Sequence, residues 1–305
     1  IPESANYNAG TATGTFEIKP LPAQLDWSSS DLTYNGKDQT VTARVRNALP
    51  GDTFTLTYET NETYTNTGKN ARKYTAKVTA LGNTNYSLSE EESVYSWEIK
   101  KASTTNSASK VSINGWTYGG YNGAKNTPSI DPSLNPENQT VQYTYYTDGA
   151  CSTQTSTENG AETEGGVPKN AGTYYVKAQI PESANYNAGT ATGTFEIKPL
   201  PAQLDWSSSD LTYNGKDQTV TARVRNALPG DTFTLTYETN ETYTNTGKNA
   251  RKYTAKVTAL GNANYSLSQK ESIHPWVINP KAVTVKPDDL HKHIGGEEPQ
   301  LTYTT

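Results

Sequence analysis

The 305-residue chain contains no methionine, one cysteine, three histidines and four phenylalanines. Each scarcity removes a class of function. The lone thiol, Cys151, makes no intrachain disulfide, and with no histidine near it in sequence it lacks the base that would activate a nucleophile. The histidines, His274, His291 and His293, are too few for most acid–base or metal clusters. No stretch approaches 18 apolar residues, so no segment is expected to enter a membrane. With 26 Lys and Arg against 31 Asp and Glu, the net charge is −5, which gives nucleic acid no basic footprint. The glycines lie in turns rather than between a strand and a helix, so no phosphate loop is present, and no EF-hand pattern occurs. An enzyme is therefore not expected, nor a cofactor. The absence of methionine and of a signal peptide predicts that the chain starts inside a longer protein.

Large aliphatics are also scarce: 17 Leu, 10 Ile, 14 Val and 4 Phe. That scarcity raises the question of disorder, but the modest charge and the 21 Tyr and 5 Trp argue against it. Small cores built on aromatics, with Thr-rich strands around them, fit better.

What the chain does have is a long repeat. Residues 1–89 and 180–268 are the same sequence at an offset of 179, differing only at Thr84 and Ala263. Such a period is too long for a solenoid unit and long enough for one or two domains. It divides into residues 1–19, the C-terminal part of a second-type module; 20–100, a first-type module; 101–198, a second-type module; 199–279, a near-identical copy of 20–100; and 280–305, the start of a further module. The modules share an ordered set of features. An aromatic turn opens each, Leu32-Thr-Tyr-Asn-Gly36 and Leu211-Thr-Tyr-Asn-Gly215 in the first type, Trp116-Thr-Tyr-Gly-Gly120 in the second. Later come Asn70-Ala71 and Asn170-Ala171, then the Asn-Tyr pairs Asn85-Tyr86, Asn185-Tyr186 and Asn264-Tyr265, and the closing strands Trp97–Lys100, Phe195–Lys198 and Trp276–Asn279. The segments alternate with period two between Gly, Asn, Asp and Pro, and no window carries a helical apolar stripe of useful length. Asn35-Gly36 and Asn214-Gly215 predict tight hairpins, and Pro50-Gly51-Asp52 and Pro229-Gly230-Asp231 a second turn. Short strands at this spacing predict all-β, tandem Ig-like β-sandwich modules in an extended array.

The order Leu-Thr-Tyr-Asn-Gly-Lys, Asn-Ala-Gly-Thr-Tyr, Asn-Tyr-Asn, Phe-Glu-Ile-Lys-Pro resembles the tandem Ig-like or MBG-type β modules of large Gram-positive bacterial cell-surface proteins. The tail Val283-Thr-Val-Lys286 through Leu301-Thr-Tyr303 is similar to the opening of such a module. The resemblance covers nearly the whole chain and implies a secreted, cell-wall-associated, adhesin-like stalk. Arg72 and Arg251 depart from it, standing where the second type has Gly172, and no anchoring motif is present.

Few residues suggest chemistry. His291-Lys292-His293 beside Asp288 and Asp289 could offer two imidazoles to a metal, but a polar strand start is preferred. Asp131-Pro-Ser-Leu-Asn-Pro-Glu137 has the hard oxygens calcium takes, and reads equally as a rigid loop. Lys77 and Lys256 sit mid-strand, where an isopeptide to Asn would need burial; solvated lysines are the default. Trp116, Tyr118 and Tyr121 are the candidate ligand-binding residues, as rings that could stack on sugar. Tyr143 and Tyr145 share a strand face that reads as core, while Tyr121 in a Gly-rich turn is freer. The expected function is a structural or adhesive stalk segment that spaces or presents a binding head, its partners being neighbouring modules of the same polypeptide. The alternative is a module for host glycans or glycoproteins, centred on residues 101–198.

Overall fold

A computed structural model describes residues 1–28, 31–156 and 166–305. It is nearly all-β, with 37% strand and 5% helix. Among the described residues, single α-helical turns occur at Glu90–Ser93, Gly123–Asn126 and Gln269–Ser272, and a 3-10 turn at Pro132–Leu134. The first is capped by Ser89, whose Oγ accepts from the Glu92 amide, while the Glu92 carboxylate reaches across to accept from the Leu25 amide at 2.8 Å. The chain divides into two compact units, Ile1–Lys110 with Ile130–Gln142 and Ala178–Ala191, and Val111–Ser129 with Tyr143–Lys177 and Thr192–Thr305.

In the first unit, residues 20–100 build a four-stranded sheet in the order Asp31–Thr33, Val94–Lys100, Lys73–Ala80, Thr57–Tyr58. Asp31–Thr33 forms the edge of this sheet and lies parallel to the closing strand, Leu32 opposite Ile99. The period-two pattern decides what is buried: Tyr74, Ala76 and Val78 point inward on one strand, Trp97 and Ile99 on the next. Trp97 stacks on Tyr74 at 4.6 Å, and its indole N–H donates to Thr65 O at 3.0 Å, so the largest core ring leaves no polar atom unpaired. Three strand pairs complete the module: Leu25–Trp27 with Ala43–Val45, Gln39–Thr40 with Thr67–Gly68, and Leu21–Pro22 in parallel with Tyr86–Ser87.

The Asn35-Gly36 hairpin is not made. The strand before it pairs with Val94–Lys100 and the strand after it with Thr67–Gly68, so the turn is a corner between sheets. A type I′ hairpin needs positive φ at both central residues, and only Gly36 has it, at +76°. Asn35 instead folds back, its Oδ1 accepting from the Lys37 amide at 2.9 Å. The Pro50-Gly51 turn closes as expected, with Gly51 at φ +93° and the Asp52 amide donating to Leu49 O.

Residues 1–19, identical to 180–198, are exposed where their counterparts are packed in a sheet. Phe16 and Ile18 are 89% and 85% exposed, whereas the same residues in the second repeat, Phe195 and Ile197, are 5% and 0% exposed.

The second unit holds most of a sheet in the order Trp116–Thr117, Gly189–Lys198, Gly172–Ile180, Gln142–Tyr146. Phe195 is its centre, with the rings of Trp116, Tyr145 and Tyr174 at 5.1, 5.9 and 5.9 Å. Tyr145 is buried, as its strand face predicted. The unit also contains the second copy, whose sheet repeats the first, with Trp276 stacked on Tyr253 at 4.5 Å. In residues 280–305 Lys286–Pro287 pairs with Tyr303–Thr304, and the large apolar side chains Val283, Val285 and Leu301 are exposed.

Candidate functional site

The candidate site is a contact between recurring sequence motifs, found once inside each compact unit, and residues 101–198 contribute to both units. In the second unit the turn Thr117–Gly120 closes by the Gly120 amide donating to Thr117 O at 2.7 Å, with Gly119 at φ +75°. That conformation carries Tyr118 onto the copy 199–279. Its ring meets Tyr265 edge to face at 5.7 Å, and its hydroxyl donates to Asp231 Oδ1 at 2.8 Å. The other carboxylate oxygen of Asp231 accepts from the Tyr265 hydroxyl at 2.7 Å, and that hydroxyl in turn accepts from the Leu228 amide. Gly119 is pressed on Leu228: a Cβ there would lie 2.3 Å from Leu228 Cδ1. Burial first, and the Asp231 carboxylate second, push the Tyr118 phenol up to about 12, so it stays a neutral donor across the physiological range.

A second arm lies beside this one. The Ala171 amide donates to Asn264 Oδ1 at 2.8 Å, and Asn264 Nδ2 donates to Asn170 Oδ1 at 3.1 Å. Within the copy, Leu200 and Pro201 pair in parallel with Tyr265 and Ser266, which fixes the tyrosine that receives Tyr118. A joint with three kinds of contact fixes orientation better than any one of them, since each hydrogen bond and ring pair contributes only about 0.5–1.5 kcal/mol.

The first unit contains the equivalent joint. Ala71, which corresponds to Ala171, donates its amide to Asn185 Oδ1 at 2.8 Å, and Tyr34, which corresponds to Tyr118, meets Tyr186 edge to face at 5.3 Å. Within residues 101–198, Ala102 bridges in parallel to Tyr186 and holds the tyrosine that meets Tyr34. The accessory carboxylate differs: Glu137 accepts from the Asn185 amide and from Asn185 Nδ2, at 3.3 and 2.7 Å, where Asp231 accepts from two tyrosines. Hydrogen bonds from Ser183 first, then Asn185, hold the Glu137 carboxyl below its ordinary range.

Of the three residues expected to bind a ligand, Trp116 and Tyr121 are in contact and Tyr118 is engaged elsewhere. Trp116 is 8% exposed and stacks on Phe195; Tyr118 is 5% exposed and belongs to the joint; Tyr121 is 40% exposed and touches Trp116 edge to face at 5.1 Å. Tyr121 alone has a ring face open to solvent. The Asn-Tyr and Asn-Ala pairs, read from sequence only as turn markers, are the residues that make the joint. Their recurrence in all three modules was the available signal.

The remaining sequence candidates serve local structure. Asp131 caps the Pro132–Leu134 turn through the Ser133 amide, and Glu137 is engaged by Asn185, so both carboxylates of the calcium-like loop have protein partners. Burial pushes the Cys151 thiol up, away from a thiolate at neutral pH. His291 and His293 are exposed, and among the described residues no three His, Cys, Asp or Glu side chains group as metal ligands. Lys77 and Lys256 are half-buried rather than solvated. Each pairs with a glutamate, Glu59 at 3.5 Å and Glu238 at 2.6 Å, and lies over a tyrosine ring. Part of the long loop of the second-type module, residues 157–165, lies outside the described residues. No family model and no curated protein matches the chain.

Proposed function

We propose that the chain is a load-bearing spacer: tandem Ig-like β-sandwich modules forming a stalk or adhesive segment of a secreted, wall-associated bacterial surface protein. The observation that carries this reading is that unlike modules are joined by the same atoms. A backbone amide of the Asn-Ala turn donates to an Asn-Tyr side chain at 2.8 Å both at Ala71 and at Ala171. A joint that repeats makes length the property that copy number controls, and near-identical copies let recombination change it. Small-angle scattering of the chain tests this. A rod-like profile that loosens on Asp231→Ala is expected; a compact profile contradicts it.

A second reading, recognition of a host glycan or glycoprotein by the 101–198 module, is favoured by the exposed ring of Tyr121 braced on Trp116. Sugar recognition on an open aromatic face needs that ring free. On a glycan array the whole chain would bind and Tyr121→Ala would abolish binding; a silent array removes the reading. Trp116→Ala is not a usable control, because the indole is part of the core.

A further inference from the structure

The first copy repeats the receiving half of the joint residue for residue, and that half is open. Leu49, Asp52, Asn85 and Tyr86 correspond to Leu228, Asp231, Asn264 and Tyr265. The internal bonds of the face are already in place: the Tyr86 hydroxyl donates to Asp52 Oδ2 at 2.7 Å and accepts from the Leu49 amide at 2.8 Å. The second carboxylate oxygen, which in the other copy takes the Tyr118 hydroxyl, faces a cleft lined by Ile18, Leu21, Leu49, Asp52, Asn85 and Tyr86. Leu49 is 59% exposed and Asn85 exposed, while Leu228 and Asn264 are half-buried. The sole difference between the repeats, Thr84 for Ala263, also falls at this turn.

We infer that this face is a receptor for the Trp-Thr-Tyr-Gly-Gly turn and Asn-Ala turn of a second-type module lying ahead of it in the same polypeptide. Two observations choose that occupant. Identical receiving residues in this chain already hold those two turns and no others. Residues 1–19, which run directly into the face, are the closing strand of a second-type module, identical to 180–198. The inference rests on the spacer reading, and adds that joints alternate in kind: the carboxylate of a first-type module receives a tyrosine hydroxyl from the module before it, whereas Glu137 of the second-type module holds that module's own Asn185, the residue that accepts the Ala71 amide. A first-type module set directly before another would offer Asn35, with its side chain, where Gly119 lies against Leu228. The receiving face therefore selects by the size of one residue.

The test extends the chain with its own sequence. Placing residues 101–179 ahead of Ile1 restores a full 101–198 sequence before Pro20. In separate chains Thr84 or Ala263, both exposed, is replaced by a diazirine-bearing lysine analogue, irradiated, and the captured peptide identified by mass. In the unextended chain, position 263 should capture the Asn170–Lys177 peptide and position 84 should not. In the extended chain, position 84 should capture it too, within one molecule and with yield comparable to 263. Silence at 84 in the extended chain, with capture at 263, overturns the inference and leaves the spacer reading standing. Silence at 263 as well overturns the joint on which both rest. Capture by 84 between two unextended chains assigns the face to self-association and also overturns the inference.

Discussion

The two first-type copies match in their first seventy residues except at Thr84 and Ala263, and diverge in the last eleven, 90–100 against 269–279. What persists there is what the fold uses inwardly. Glu92 and Glu271 each accept from a backbone amide, of Leu25 and Leu204. Ser93 and Ser272 are buried, and Trp97, Ile99, Trp276 and Ile278 fill the core. Most of what changes faces outward, the exception being position 95, whose ring packs on a tryptophan. Glu98 becomes Val277, and Lys100, paired with Asp31 at 2.7 Å, becomes Asn279. That pair is largely exposed, so losing it changes little. Ser96 becomes Pro275, tolerated because the parallel neighbour pairs only from Asp210 and Val277 onward. Tyr95 becomes His274, which keeps the stack on Trp27 or Trp206, at 4.9 and 4.7 Å. The comparison separates the requirements of the core from those of the surface, and it leaves the joint as the main difference in surroundings for the residues the copies share.

The largest effect should be the same in both copies. Trp97→Ala and Trp276→Ala each remove a buried ring and should cost about 3–5 kcal/mol, read by denaturant unfolding; a clear inequality would mean that the cores are not equivalent. The next effect should be unequal. Asp231 accepts from two tyrosines and Asp52 from one, so Asp231→Ala should cost more than Asp52→Ala by about 1.5–3 kcal/mol, the worth of a hydrogen bond to a charged group. Adding Tyr118→Phe should erase most of that gap. Gly68→Ala and Gly247→Ala should again match, at about 1–3 kcal/mol, because a Cβ would lie 2.5 and 2.4 Å from the rings of Tyr74 and Tyr253, themselves stacked and buried.

The smallest effect is a pH dependence confined to the second copy. His274 Nε2 is buried without a hydrogen-bond partner, and burial lowers the imidazole below its ordinary value of 6.5. The folded state thus disfavours the protonated ring. Its stability is intact above pH about 6.5 and falls as acid carries the pH from there through the lower folded value. The first copy, with Tyr95, has no such loss at this position. Thermal melts of His274→Tyr and the parent between pH 7 and pH 5 should converge at pH 7 and separate in acid. Parallel curves would show that the imidazole is not the cause.

Much of the fold was legible in the sequence because alternation and aromatic content determine which faces are buried. Trp97, Phe195, Trp276 and Tyr145 all lie where that pattern puts them. The Asn-Gly corner was misread for a physical reason: turn chemistry determines local φ, not which strand the chain pairs with next. The joint was invisible because Tyr118, judged from its own segment, is an amphipathic ring in a Gly-rich turn, as suited to sugar as to protein. Only the position of Asp231, 113 residues away, distinguishes the two.

Three equivalent alanines test the joint most directly. Ala71 and Ala171 donate their amides to Asn185 and Asn264, whereas Ala250 is exposed. Hydrogen exchange followed by NMR on alanine-labelled chain should show Ala71 and Ala171 protected and Ala250 fast, with Asn264→Ala releasing Ala171 alone. Protection of Ala250 equal to that of Ala171, or no response of Ala171 to Asn264→Ala, would contradict the account.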